Sequence, residues 1–204
     1  MKIFFDLDGT LIDSKTRLYK LFQFLVKNSK FTYTEYWGLK RNKINHDEIL
    51  KTYFKYDLNE IDKFKNEWLL LIEDKEWLKL DTPFEGVTNY LKQLNNHELF
   101  VVTARQFEQV TKDQIESFGW AGVFKNIMVT SGKREKHTII SELYKINDKD
   151  WMVGDTGKDI QTGKMMGTKT AAVTSGFLSK EQLSLYRPDI IVENIIDIDF
   201  LNMK

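Results

Sequence analysis

The sequence predicts a doubly wound α/β fold: a parallel sheet with helices on both faces and an all-helical insert after its first strand. Three observations carry this. Six short apolar runs recur along the chain. Helix-period patterns lie between several of them. From Lys15 to Asp81 only the helical period appears. Strands buried on both faces read as continuous apolar runs, and their alternation with helices points to a parallel sheet.

Taken in order, the first run is Lys2-Ile3-Phe4-Phe5, closed by Asp6. The insert follows. Leu18, Leu21, Phe22 and Leu25 share one helical face, as do Ile49, Leu50 and Phe54, and then Ile61, Phe64, Trp68, Leu71 and Ile72. Asn45 and Asn59 are the expected N-caps of two of these helices. Thr82-Pro83 marks the return. The second run, Leu99 to Thr103, precedes a helix near Phe107–Phe118. The third, Asn126 to Thr130, precedes one over Lys136–Tyr144. The fourth, Trp151 to Asp155, precedes one over Asp159–Met166. Thr170 to Val173 is the fifth, and Ile190-Ile191-Val192 the sixth. Between these two, Ser179-Lys180-Glu181-Gln182 reads as a capping box opening a short helix to Tyr186. The division is a core of residues 1–14 and 82–204 with a helical cap subdomain of residues 15–81.

Composition excludes several classes of function. With 30 basic and 30 acidic residues the 204-residue chain has a formal net charge of +0, so a strongly basic nucleic-acid binder is not expected. With no cysteine there is no thiolate metal site, no Cys nucleophile and no disulfide. The longest apolar run, Trp68 to Ile72, is far short of the ~18 residues of a spanning helix. Asp6 and Asp8 stand where a signal peptide needs apolar residues. The expectation is a soluble, cytoplasmic protein.

Four segments carry chemistry. Asp6-Leu7-Asp8-Gly9-Thr10-Leu11 puts two carboxylates just past a buried strand, where ligands bind in open α/β sheets. Such a pair can bind a hard cation, supply a nucleophile or share a proton; the bland alternative is a solvated turn. Gly154-Asp155-Thr156-Gly157-Lys158-Asp159 puts a second acidic pair at the same sheet edge. The two pairs repel unless a cation lies between them, and Mg²⁺ suits oxygen ligands. Thr103-Ala104-Arg105 offers a hydroxyl and the N–H groups of a following helix start, a combination that holds phosphate. Lys133-Arg134-Glu135-Lys136-His137 is basic, and by itself would be a solvated loop.

In this order the four segments resemble the motifs of the haloacid dehalogenase-like hydrolase superfamily. The tail after Thr174 is similar to the phosphoglycolate phosphatase-like branch, with a Gly, a short helix and a final Asp-Ile-Ile-Val strand. The resemblance covers nearly the whole chain and implies a Rossmann-like core with a helical cap. It implies a Mg²⁺-dependent phosphatase that hydrolyses a small phosphate monoester through an aspartyl-phosphate. Asp6 becomes the nucleophile, and Asp8 the general acid and base, neutral at the start. Mg²⁺ falls to Asp6, Asp155 and the backbone carbonyl of Asp8. Thr103, Ala104 and Lys136 hold the phosphoryl oxygens, with Lys133 the alternative lysine, and Asp159 orients the lysine or a metal-bound water. Family dehalogenases lack an acid at the position of Asp8, and transport ATPases carry a threonine there, so Asp8 favours a phosphatase or a phosphomutase.

The alternatives are a phosphomutase acting on a sugar phosphate and a non-catalytic binding protein on the same fold. The expected partner is a small phosphorylated metabolite, with no nucleic acid and no membrane, and the chain a monomer or homodimer. In the cap, Arg17, Lys20, Lys40, Arg41, Lys43 and His46 are polar candidates for substrate contact, and Trp37, Tyr53 and Trp68 the aromatic ones.

Overall fold

In the computed structural model, which describes residues 1–203, the chain enters through β1 (Lys2–Phe5), the strand from which the site is built. It passes through the two-residue β2 (Ile12–Asp13) into a run of helices: α1 (Lys15–Leu25), α2 (Tyr33–Arg41), α3 (His46–Ile49), α4 (Leu58–Leu71) and α5 (Lys75–Leu78). A π-helical turn, Leu50–Phe54, continues α3. The chain returns through β3 (Thr82–Pro83), and then alternates: α6 (Val87–Gln93), β4 (Glu98–Thr103), α7 (Glu108–Ser117), β5 (Asn126–Val129), α8 (Lys136–Leu143), β6 (Trp151–Gly154), α9 (Gly157–Met166), β7 (Lys169–Val173), α10 (Lys180–Ser184) and β8 (Ile190–Val192). The main sheet has six strands in the order β5-β4-β1-β6-β7-β8, with every pair parallel.

The alternation of β1 explains why both faces of the sheet are covered. Ile3 and Phe5 join a core with Leu91, Ile115, Trp120 and Phe200 on one face. Phe4, between them, joins Phe100, Met128, Ile140 and Met152 on the other. All three β1 side chains are fully buried, each worth about 1.5–3 kcal/mol of burial. This rigid centre fixes the position of Asp6, the next residue.

The insert has a core of its own. Phe22, Tyr36, Trp37, Ile49, Leu50, Ile61 and Phe64 are buried together, with Phe177 of the sheet module packed against them. Phe22 is the hub, its ring 5.0 Å from Tyr36 and 6.0 Å from Phe64.

Local details depart from the sequence reading. Asp57, not Asn59, caps α4: its side chain accepts from the Glu60 N–H at 2.9 Å, and Glu60 answers at the Asp57 N–H at 2.8 Å. Asn59 lies inside the helix, so the extended backbone that capping needs falls two residues earlier. Asn45 does cap α3. Ser179 caps α10, but that helix closes at Ser184, before Tyr186. The antiparallel pair β2–β3, with Ile12 opposite Pro83 and Asp13 opposite Thr82, is too short to show in any periodicity. It ties together the two crossings between sheet and insert.

Candidate active site

Four segments converge at the carboxyl edge of the sheet. After β1 the Asp6 N–H still donates to the Val153 carbonyl at 2.9 Å, which holds Asp6 in line with the strand. The chain then folds back in a tight turn, Leu11 N–H to the Leu7 carbonyl at 2.9 Å, with Gly9 at φ 82°. Beside it β6 delivers Asp155, and Thr156 caps α9. The Asp159 carboxylate reaches back to the Thr156 N–H at 3.1 Å and its hydroxyl at 2.6 Å. From the next segment, α8 opens with Lys136.

Lys136 Nζ donates to Asp6 Oδ1 and to Asp159 Oδ1, each at 2.6 Å. Lys133 lies exposed in the turn that begins at Thr130, so Lys136 is the lysine brought to Asp6. Asp155 accepts from the Phe177 N–H at 2.7 Å and from the Thr10 hydroxyl at 3.4 Å. A Cβ at Gly9 or at Gly176 would overlap the Asp155 carboxylate, and at Gly9 the positive φ adds strain. Asp6, Asp155 and Asp159 each offer an oxygen, and these oxygens all lie within 4.8 Å of one another.

Three buried carboxylates here face one ammonium. Burial pushes Asp6 up to about 7, reinforced by the charges of Asp159 and Asp8 and only partly offset by Lys136. Asp155 is pushed well above the usual carboxylate range by burial and then by Asp6 and Asp159. Burial would lower Lys136, but Asp159 and Asp6 outweigh it and raise it. This shortage of positive charge, among hard oxygens only, fits a divalent cation such as Mg²⁺.

Asp8 sits in the opposite environment. Its carboxylate accepts from Arg105 Nε at 2.8 Å and Nη2 at 3.0 Å, and also from Arg17 Nη2. Arg17 and Arg105 both pair with Asp81, at 2.8 and 3.3 Å. Although burial alone would raise it, Asp8 is held well below the usual carboxylate range by Arg105 and Arg17. The two arginines thus oppose the expectation of an Asp8 that is neutral at the start. The Asp8 side chain also lies outside the oxygen cluster, which Asp159 joins instead.

Thr103, at the end of β4, is buried and lines a cavity of about 370 Å³ with Asp6, Asp8, Ala104, Lys136 and Asp159. The helix that follows begins at Glu108, with Phe107 in the N-cap position, as its apolar pattern predicts. The N–H groups of Gln106 and Phe107 already donate to the Glu73 carboxylate, at 2.7 and 3.2 Å. They are taken by the insert.

Sequence reading missed the roles of Arg105, Asp81, Glu73 and Phe177. Of the polar residues expected in the cap, Arg17 reaches the site, Arg41 donates to the Thr174 and Gly176 carbonyls, and Lys43 binds the Tyr186 hydroxyl. His46, bonded to the Tyr36 hydroxyl, and Lys40 are half-buried, and Lys20 is exposed. Trp37 and Trp68 face a cavity, whereas Tyr53 lies half exposed on the surface.

Comparison with known proteins gives a consistent picture. The sequence profile of a family described as haloacid dehalogenase-like hydrolase matches residues 3–173. Pyrophosphatase PpaX of Oceanobacillus iheyensis is 26% identical over 208 residues, covering 96% of this chain and 94% of its own. Pyrophosphatase PpaX of Halalkalibacterium halodurans is 24% identical, covering 99% and 97%. A haloacid dehalogenase-like family hydrolase from Streptococcus pneumoniae superposes with a TM-score of 0.76 at 21% identity, covering 93% of this chain and 92% of that one. A predicted phosphoglycolate phosphatase from Haemophilus somnus gives 0.75 at 19%, covering 96% and 94%. The two solved structures share the fold. Among the described residues no helix is long and apolar enough to cross a membrane.

Proposed function

The chain belongs to the haloacid dehalogenase-like hydrolase family, and from that premise we propose that it is a phosphatase for a small phosphate ester, with Asp6 as nucleophile. One observation carries the reading: Asp6 lies under Lys136, within a cluster of three buried carboxylates, on the floor of a cavity at the carboxyl edge of the sheet.

Asp6 attacks phosphorus, the bond from phosphorus to the leaving oxygen breaks, and an aspartyl-phosphate forms. A water then attacks phosphorus and returns the Asp6 carboxylate. Lys136 and Thr103 hold the phosphoryl oxygens, where positioning and fixed charge supply most of the rate. Asp159 keeps Lys136 aimed at Asp6. Mg²⁺, held by Asp6, Asp155 and the Asp8 backbone carbonyl, supplies charge neutralisation between carboxylate and phosphate.

Asp8 moves the protons: to the leaving oxygen first, then from the attacking water. Between two arginines it is ionised, the form that the second step needs. Loading it with a proton for the first step goes with the withdrawal of Arg17, which the insert carries. In this reading residues 15–81 move as a cap about the β2–β3 pair and close over bound substrate.

The test is phosphate release from p-nitrophenyl phosphate and a panel of small esters, with pyrophosphate included because relatives are named for it. Turnover is expected to need Mg²⁺ and to fall at least about a thousandfold in Asp6→Asn. Full activity in that variant, or turnover indifferent to EDTA, overturns the proposal.

A further inference from the structure

A second cavity, of about 300 Å³, opens in the insert next to the site. Leu18, Trp68 and Phe177 line both it and the cavity that holds Asp6. Of these shared residues, Phe177 is anchored to the catalytic cluster. The Phe177 N–H donates to Asp155, while its ring stacks on Trp37 at 5.5 Å with an interplanar angle of 8°. In the lining the His46 ring packs edge-on against Trp68, with centroids 4.4 Å apart.

Two polar features stand out in this aromatic lining. The Trp37 indole N–H is buried and has no partner among the described residues. Lys40 is half-buried, and its ammonium is opposed by burial with no carboxylate to offset it, which lowers it to about 8. His46, half-buried against Tyr36, is lowered well below its ordinary value by desolvation and by Lys40 itself. Lys43 is engaged by the Tyr186 hydroxyl. Lys43, whose hydroxyl partner neutralises no charge, lies exposed, and Lys40 is thus the half-buried cation of this cavity. Flat aromatic walls accept an apolar, planar group, and an unpaired amine accepts an anion.

We propose that this cavity receives the organic leaving group of the substrate: a planar, largely apolar body carrying a second negative charge, with Lys40 as the specificity-determining residue. The inference rests on the phosphatase reading above and names the substrate class for that site. Inorganic pyrophosphate is polar on every side, and against these walls its oxygens would lose water without gaining partners.

The experiment compares kcat/KM for 4-carboxyphenyl phosphate, phenyl phosphate and pyrophosphate. In parallel, quenching of tryptophan fluorescence reports binding of the product 4-hydroxybenzoate without any turnover. The wild-type protein is expected to prefer the carboxylated ester over phenyl phosphate by about tenfold, the effect of one modest ion pair. Lys40→Gln brings that ratio to about one and weakens the quench, whereas Lys40→Arg keeps both. A wild-type ratio near one, pyrophosphate as the best substrate, or a preference that survives Lys40→Gln overturns the proposal. Quenching that depends on Lys40 without turnover of any ester supports the cavity as a ligand site and removes the phosphatase reading. Neither quenching nor turnover overturns both.

Discussion

Asp6 and Asp8 stand two residues apart on one turn, yet they belong to opposite electrostatic regions. Asp6 shares Lys136 with Asp159 and lies close to Asp155, so three carboxylates compete for one ammonium. Asp8 shares Arg17 and Arg105 with Asp81, so two carboxylates meet two guanidinium groups. Both regions are buried. The first is short of positive charge and the second is balanced. Environment, rather than residue type, divides the roles: the starved region suits a cation and a phosphoryl group, and the saturated one suits a latch between sheet and insert.

The largest expected effect breaks the starved region. Asp155→Asn should lower turnover about a thousandfold or more by removing a charge that faces both nucleophile and cation. The same change should make the metal-free protein more stable, because it relieves repulsion among buried acids. In wild type, Mg²⁺ at about a hundred times its Kd should add about 2.7 kcal/mol, or about 5–10 °C in Tm for a chain of this size. In Asp155→Asn that gain should shrink towards zero. Thermal denaturation with and without Mg²⁺ measures both.

Next come paired deletions of the cations. Lys136→Met leaves Asp6 and Asp159 without their cation and Arg105→Met leaves Asp8 and Asp81 one guanidinium short, and each should cost about 3–5 kcal/mol by denaturant unfolding. The comparison lies in the rescue. Mg²⁺ should restore part of the loss in Lys136→Met, whose orphaned acids form the oxygen cluster. It should restore little in Arg105→Met, where Asp8 and Asp81 are left to share Arg17 and lie outside the oxygen cluster. Equal rescue of both would mean that the two regions are not electrically separate.

pH sharpens the contrast. Asp6 is raised from 3.8 to about 7, so the native state binds the more protons, and its contribution declines as pH rises between those values. Asp155 acts in the same direction. Asp8 is lowered, so its contribution is complete above 3.8 and is lost as pH falls below it. His46, lowered well below 6.5 by desolvation and by Lys40, loses its contribution as pH falls from about 6.5 downward. The decisive quantity is therefore the difference between wild type and Asp6→Asn. Metal-free, that difference should move in favour of wild type on acidification from pH 8 to 5; with Mg²⁺ bound it should flatten, because the cation competes with protons.

The starved region was the more legible in the sequence. Asp6 and Asp155 each close a continuous apolar run, and parallel topology brings the carboxyl ends of such runs to one edge. Lys136 was narrowed to a five-residue segment by chain order, and only the opening of α8 separates it from Lys133. The balanced region was not legible. Arg17 and Asp81 pair across 64 positions, and Arg105 and Asp8 across 97, through spacings that no local pattern fixes. The protonation of Asp8 depended on those partners and could not be read without them. Strands β2 and β3, two residues each, left no periodic trace.

The smallest expected effect tests whether the latch extends beyond the arginines. Glu73, at the end of the helical insert, gives its carboxylate to the N–H groups of Gln106 and Phe107 just before α7. The helix has no side-chain cap from its own N-cap residue, Phe107, so an anion from the insert supplies what the local sequence does not. Glu73→Gln keeps the shape and removes the charge. It should cost about 1 kcal/mol, the usual worth of a cap or a charge at a helix terminus. If Glu73 belongs to the closing contact between insert and sheet, the loss should also appear in KM, by a few-fold, with kcat little changed. A stability loss with KM intact would confine Glu73 to capping α7, and the latch would then consist of Arg17, Arg105, Asp8 and Asp81 alone.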